Sequence, residues 1–140
     1  MNNKIEFIRY KKKVIAIIIP KKIKLDKKIK FLTENQEEFQ VAVMNRPKKD
    51  DVKPHYHPRQ PRKIKYTSEF IWLLKGKANF SFYAPKIKKK KLKEKILSTG
   101  DSVCFLNCGH SIRFITKTKL LEVKQGPYKT SKDKIFLKNS

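Results

Sequence analysis

The only three histidines of this chain are His55, His57 and His110. His55 and His57 are one residue apart, so on an extended strand both imidazoles project from the same face. With Glu69 and His110 they make a set of three ring nitrogens and one carboxylate. A catalytic first-row metal takes such a set, three or four protein ligands with one position open for water or substrate. Spacing alone leaves two readings open: a metal site, or a surface strand that happens to carry His-Tyr-His.

Other side chains are candidates for a pocket. Glu122 and Lys124 alternate along one apolar run and serve either as a pocket acid–base pair or as an ordinary surface charge pair. Arg62 and Tyr66, and less so Tyr128, offer the planar and hydroxyl donors that bind a sugar or a carboxylate, with plain packing as the competing role. Trp72 alternates with Phe70 and Leu74, a pattern of core or of a dimer face. Cys104 and Cys108 lack the second pair that a structural zinc site needs, and read as reduced thiols of the core or the pocket rim.

Short strands must position these groups. The segment 13–19 is β-branched and stops at Pro20, and 38–44 alternates apolar with polar before Arg46-Pro47, giving two strands in the N-terminal third. A proline-bounded loop, 47–54, leads to a strand expected to begin near Lys53 and to carry His55 and His57. Segments 68–74 and 78–83 flank Lys75-Gly76-Lys77 and predict a hairpin turning at Gly76. The basic run 86–95 reads as a solvated hairpin tip. Thr99-Gly100-Asp101 and 107–109 are turns, and 103–106, 111–115 and 119–124 are further strands. No helical periodicity of useful length appears, so the class is all-β, a sandwich or barrel.

Length and charge bound the rest. A chain of 140 residues has room for one core. Its net charge of +24 is almost all lysine, with arginine only at Arg9, Arg46, Arg59, Arg62 and Arg113. Base and phosphate recognition favours the guanidinium fork, so the charge reads as a solvated coat, with a basic nucleic-acid-binding protein as a further alternative. The most apolar run, 14–19, is far too short to span a bilayer, and the expected compartment is the cytoplasm.

The order His55-Tyr56-His57, then Glu69 with Gly76 beyond it, then Gly100-Asp101 and His110, resembles the two motifs of the cupin superfamily. The resemblance covers residues 54–115, although the gap from His57 to Glu69 is longer than that pattern and the approach to His110 shorter. It implies one domain over 1–140, with N-terminal strands in 4–46 and a tail from 126 to 140, folded as a double-stranded β-helix, the jelly-roll barrel. It implies a divalent metal (Zn, Fe, Mn or Ni) on His55, His57, Glu69 and His110, with Glu69 as the catalytic group. The segment 122–128, with Lys132-Asp133-Lys134, further resembles small cupins that accompany surface-polysaccharide genes. The implied function is then an isomerase-like or epimerase-like reaction on a sugar or sugar nucleotide; a non-catalytic binding module is the alternative. The resemblance also suggests a homodimer, for which an exposed strand at 14–19 would serve as an edge.

Overall fold

The structure, a computed structural model, describes residues 3–139 and consists of strands, turns and loops with no helix among them. No helix is therefore long and apolar enough to cross a membrane among the described residues. The chain divides into two compact units, one made of the chain up to Ile23 and from Tyr66 onward, the other of Lys24–Lys65.

The larger unit holds two antiparallel sheets. The first contains β1 (Glu6–Tyr10), β2 (Lys13–Ile19), β5 (Glu69–Lys75), β8 (Ser102–Phe105) and β10 (Lys119–Lys124), in the order β1-β2-β8-β5-β10. The second contains β6 (Lys77–Tyr83), β7 (Lys91–Ser98) and β9 (Gly109–Phe114), in the order β7-β6-β9. The smaller unit contributes the hairpin of β3 (Ile29–Phe31) and β4 (Ala42–Met44).

Period-two alternation decides which side chains face inward. Ile71 and Leu73 of β5, Val103 and Phe105 of β8, and Ala78, Phe80 and Phe82 of β6 are buried and belong to one apolar cluster. Phe105 joins the sheets, its ring 6.4 Å from that of Phe80 and 5.6 Å from that of Phe82. In the middle of the five-stranded sheet both faces are buried: Ile17 and Cys104, which are register partners, turn away from Ala16, Ile18 and Val103 yet are fully inaccessible. That two-sided burial explains why 14–19 reads as an unbroken apolar run.

Gly76 turns the β5–β6 hairpin at φ +103°, a backbone region closed to most residues with a Cβ. A Cβ there would lie 2.6 Å from the Lys117 carbonyl oxygen and 2.7 Å from Thr118 Oγ1. Gly100, at φ +91°, turns β7 into β8, and the Asp101 carboxylate accepts the Ser98 N–H at 2.9 Å.

Several expectations are met: β2, β10 and both glycine turns stand where the sequence puts them. Others are corrected. The segment 53–67 forms no strand, so His55 and His57 do not sit on a pleated face; Pro54, Pro58 and Pro61 withhold the N–H groups a ladder needs. The N-terminal third holds four strands instead of two, with 38–44 reduced to Ala42–Met44. Half of the basic run is β7, where Lys91, Lys93 and Lys95 occupy an outer strand instead of a loop tip. Strand β2 lies between β1 and β8 and offers no free edge for a dimer. Trp72 is outside the core, 43% exposed, beside Leu121 on the outer face of the five-stranded sheet.

Truncating Phe80, which is fully buried, is expected to cost ~3–5 kcal/mol in Phe80→Ala. Trp72→Ala is expected to cost less than half as much. Urea denaturation of the two variants against wild type checks the assignment, and equal losses would contradict it.

Candidate functional site

Glu69 opens β5 on the inward face, two residues before Ile71. Its position is fixed by its neighbour: the Ser68 N–H donates to Gln125 Oε1 at 2.7 Å, and Ser68 Oγ donates to the Leu106 carbonyl at 2.9 Å. Within the sheet Glu69 is the register partner of Phe105 on one side and of Lys124 on the other. His110 comes from the opposite sheet, on β9, as the register partner of Phe82. The second residue of β9, it enters on the inward face together with Ile112.

The two side chains meet. His110 Nε2 lies 3.0 Å from Glu69 Oε2, and His110 Nδ1 lies 3.1 Å from the Cys108 carbonyl oxygen. The imidazole stacks on the Phe105 ring, with centroids 4.0 Å apart and planes inclined by 15°. Side-chain exposure is 12% for Glu69 and 28% for His110. Both ring nitrogens therefore face acceptors, which favours the doubly protonated ring.

Lysine 124 extends the cluster. Its Nζ is 3.1 Å from Asp133 Oδ2, 3.5 Å from Glu122 Oε1 and 3.8 Å from Glu69 Oε1, and it sits 5.2 Å from the centre of the Tyr128 ring. Two cations thus share three carboxylates and an aromatic face at one end of the sandwich. The C-terminal segment lies over this end: Lys138 receives the Lys89 N–H at its carbonyl and donates its own N–H to Ile87, and a Cβ on Gly109 would come within 3.2 Å of Leu137.

Protonation follows from these contacts. Burial pulls the His110 ring down, but hydrogen bonds to the Glu69 carboxylate and the Cys108 carbonyl outweigh it and hold the ring above its ordinary value of 6.5. The hydrogen bond from His110 holds the Glu69 carboxyl below its ordinary 4.5, against the opposing effect of burial. The Asp133 carboxylate raises the Lys124 ammonium, and Lys124 lowers Asp133 in return. Burial pushes the thiols of Cys104 and Cys108 up to about 12, so both stay protonated and unreactive at neutral pH.

The remaining candidates fall elsewhere. His55 and His57 lie together in the Lys24–Lys65 unit, rings 5.2 Å apart edge to face, both exposed, with His55 Nδ1 2.8 Å from the Lys53 carbonyl oxygen. Arg62 is exposed in the same unit, and Tyr66 is exposed where the larger unit resumes. The structure thus brings together Glu69, His110, Lys124 and Glu122. Among the described residues no group of three or more His, Cys, Asp or Glu side chains is placed to hold a metal ion. Sequence reasoning passed over Phe105 and Asp133 as members of the cluster. Asp133 did carry a signal, as an acidic residue between two lysines in a basic tail.

Family models, curated proteins and solved structures were compared with the chain, and none matches.

The Glu69–His110 pair makes stability depend on pH in a defined window. A raised His110 contributes fully below pH 6.5 and loses its contribution as pH rises through the folded value above 6.5. A lowered Glu69 contributes above pH 4.5 and loses its contribution as pH falls through the folded value below 4.5. The stability gap between wild type and His110→Gln is therefore expected to be widest between pH 4.5 and 6.5 and to narrow on both sides. Denaturant melts of both proteins across this range measure the gap; a flat difference would show that the pair is not an ion pair in solution.

Proposed function

We propose that this protein is a jelly-roll barrel of the cupin type that binds a small polar molecule, a sugar or sugar nucleotide of the kind used to build surface polysaccharides, and moves a proton on it. The observation that carries this reading is the Glu69–His110 pair, presented from two facing sheets with the Lys124 ammonium beside it. The all-β sandwich and its polar end, set against an otherwise apolar core, support the barrel assignment.

Glu69 Oε2 is occupied by His110, while Oε1 stands 3.8 Å from Lys124 Nζ, beyond hydrogen-bond reach. That oxygen is left to accept a proton. On a keto sugar, Glu69 Oε1 takes the proton from the carbon next to the carbonyl, and the C–H electron pair moves into the enolate. The Lys124 ammonium offsets the charge that grows on the carbonyl oxygen. A proton delivered from water to the opposite face of the same carbon gives the epimer, while Glu69 releases the proton it took to the solvent, with no co-reactant consumed. His110 orients the carboxylate and keeps it ionised, and Phe105 fixes the plane of the imidazole.

A divalent metal fits this unit less well. At this end Glu69 and His110 meet each other while the Glu122 and Asp133 carboxylates are drawn to Lys124, whereas a catalytic first-row ion takes three protein ligands at one point. An ammonium 3.8 Å from the carboxylate also opposes a second positive charge. No step is therefore routed through a metal.

Keto sugars, free and nucleotide-linked, incubated with the protein in D2O are expected to gain deuterium next to the carbonyl, followed by proton NMR. General base catalysis is worth ~10²–10⁴ in rate, so Glu69→Gln is expected to slow the exchange by at least ~100-fold. Exchange at the same rate in Glu69→Gln would remove the assignment. A ligand that raises the melting temperature without any exchange would make the protein a binding module instead.

A further inference from the structure

The opposite end of the sandwich carries a second feature. Strand β6 begins at Lys77 and ends at Tyr83, the register partner of Gly109 beside His110, so Lys77 marks the end away from the Glu69 cluster. There, between the β1–β2 side of one sheet and β7 of the other, lies a cavity of about 480 Å³. Ile96, 57% exposed, and the half-buried Pro20 give it an apolar wall, with the nearly inaccessible Ile18 and Leu97 behind them. Lys4, Lys21, Lys22 and Lys77 stand around it.

The carboxylates in the wall are already engaged. Glu6 is paired with Lys93 and Lys95, which tie β1 to β7 across the gap between the sheets. Asp101 accepts the backbone N–H of Lys21 through Oδ1 at 3.0 Å, and the N–H and hydroxyl of Ser98 through Oδ2. Among the described residues none of the four lysines has a carboxylate within ion-pair distance. Four uncompensated ammonium groups around one concavity raise the local concentration of anions. The coat of lysines elsewhere explains a positive surface, but it does not explain an exposed apolar wall beside one. A bare inorganic anion would leave Ile96 and Pro20 wetted; a molecule with an apolar body would cover them.

We propose that this cavity is a binding site for a small organic anion, a phosphate or carboxylate joined to an apolar body. Its volume falls within the ~300–1,000 Å³ of ordinary ligand pockets. The apolar part rests on Pro20 and Ile96, and the anionic group meets Lys22 and Lys77 at the rim. The site is separate from the Glu69–His110 end and does not depend on the reaction proposed there.

The probe is 8-anilinonaphthalene-1-sulfonate, an anion on an aromatic body, titrated into the full chain and followed by fluorescence. One saturable site is expected, weakened at least ~10-fold in Lys22→Glu/Lys77→Glu. The control is Lys48→Glu/Lys63→Glu, an equal change of charge in the smaller unit, and it is expected to bind as wild type does. Near-ultraviolet circular dichroism confirms that each variant is folded, and Ile96→Glu, a change at an exposed residue of the cavity wall, gives an independent second loss. Displacement of the probe by adenosine monophosphate identifies a nucleotide-like body, and displacement by dodecanoate an acyl chain; either result supports the site. Equal weakening in the control, displacement by neither compound, or displacement only by an oligonucleotide would overturn it, the last in favour of a polyanion surface.

Discussion

The ring of Phe105 is the contact on which both the core and the polar end depend. One side of it packs near Phe80 and Phe82 of the facing sheet, and it stacks on the His110 imidazole. Phe105 is also the register partner of both Ala16 and Glu69, so the same residue sets the separation of the sheets and the place where carboxylate meets imidazole. A shift of β8 by one residue would turn Phe105 outward and part His110 from the surface that holds it flat. Packing and chemistry are therefore not separable at this position.

The distribution of negative charge is the second constraint. The chain has 12 acidic residues against 36 lysines and arginines, and three of the 12, Glu69, Glu122 and Asp133, surround a single ammonium at Lys124. Others tie strands or turns: Glu6 joins β1 to β7, and Asp101 closes the turn at Gly100. In a chain so rich in cations, a carboxylate placed inside does more than offset charge. It selects which lysines are drawn in and leaves the rest to the solvent.

Much of the architecture was legible in the sequence because alternation and glycine turns are local signals. Segments 13–19 and 119–124 and the turns at Gly76 and Gly100 could be read from a few residues each. Strand order could not: that β2 lies inside its sheet, and that β5 pairs with β8 and β10, depends on distant partners. More of the candidate site was legible than its strands: Glu69, His110, Glu122 and Lys124 stand out in the sequence by type and come together, with Glu69 and His110 3.0 Å apart. The strand expected under His55 and His57 did not form, because three prolines in that stretch remove ladder donors, and the period-two argument for one shared face lapses with it. Phe105 was hidden for a different reason, since an aromatic residue in a strand is ordinary until its stacking partner is known.

The segment that carries Asp133 gives the polar end a cover that the sheets do not supply. Pairing of β10 with β5 sets Lys124 beside Glu69, whereas Asp133, nine residues further on and outside the strands, sets a carboxylate on another side of the ammonium. That segment is held near its end by the bridge between Lys88 and Lys138. Part of the polar cluster thus rests on chain that neither large sheet secures, so a local opening there uncovers Lys124 without parting a strand.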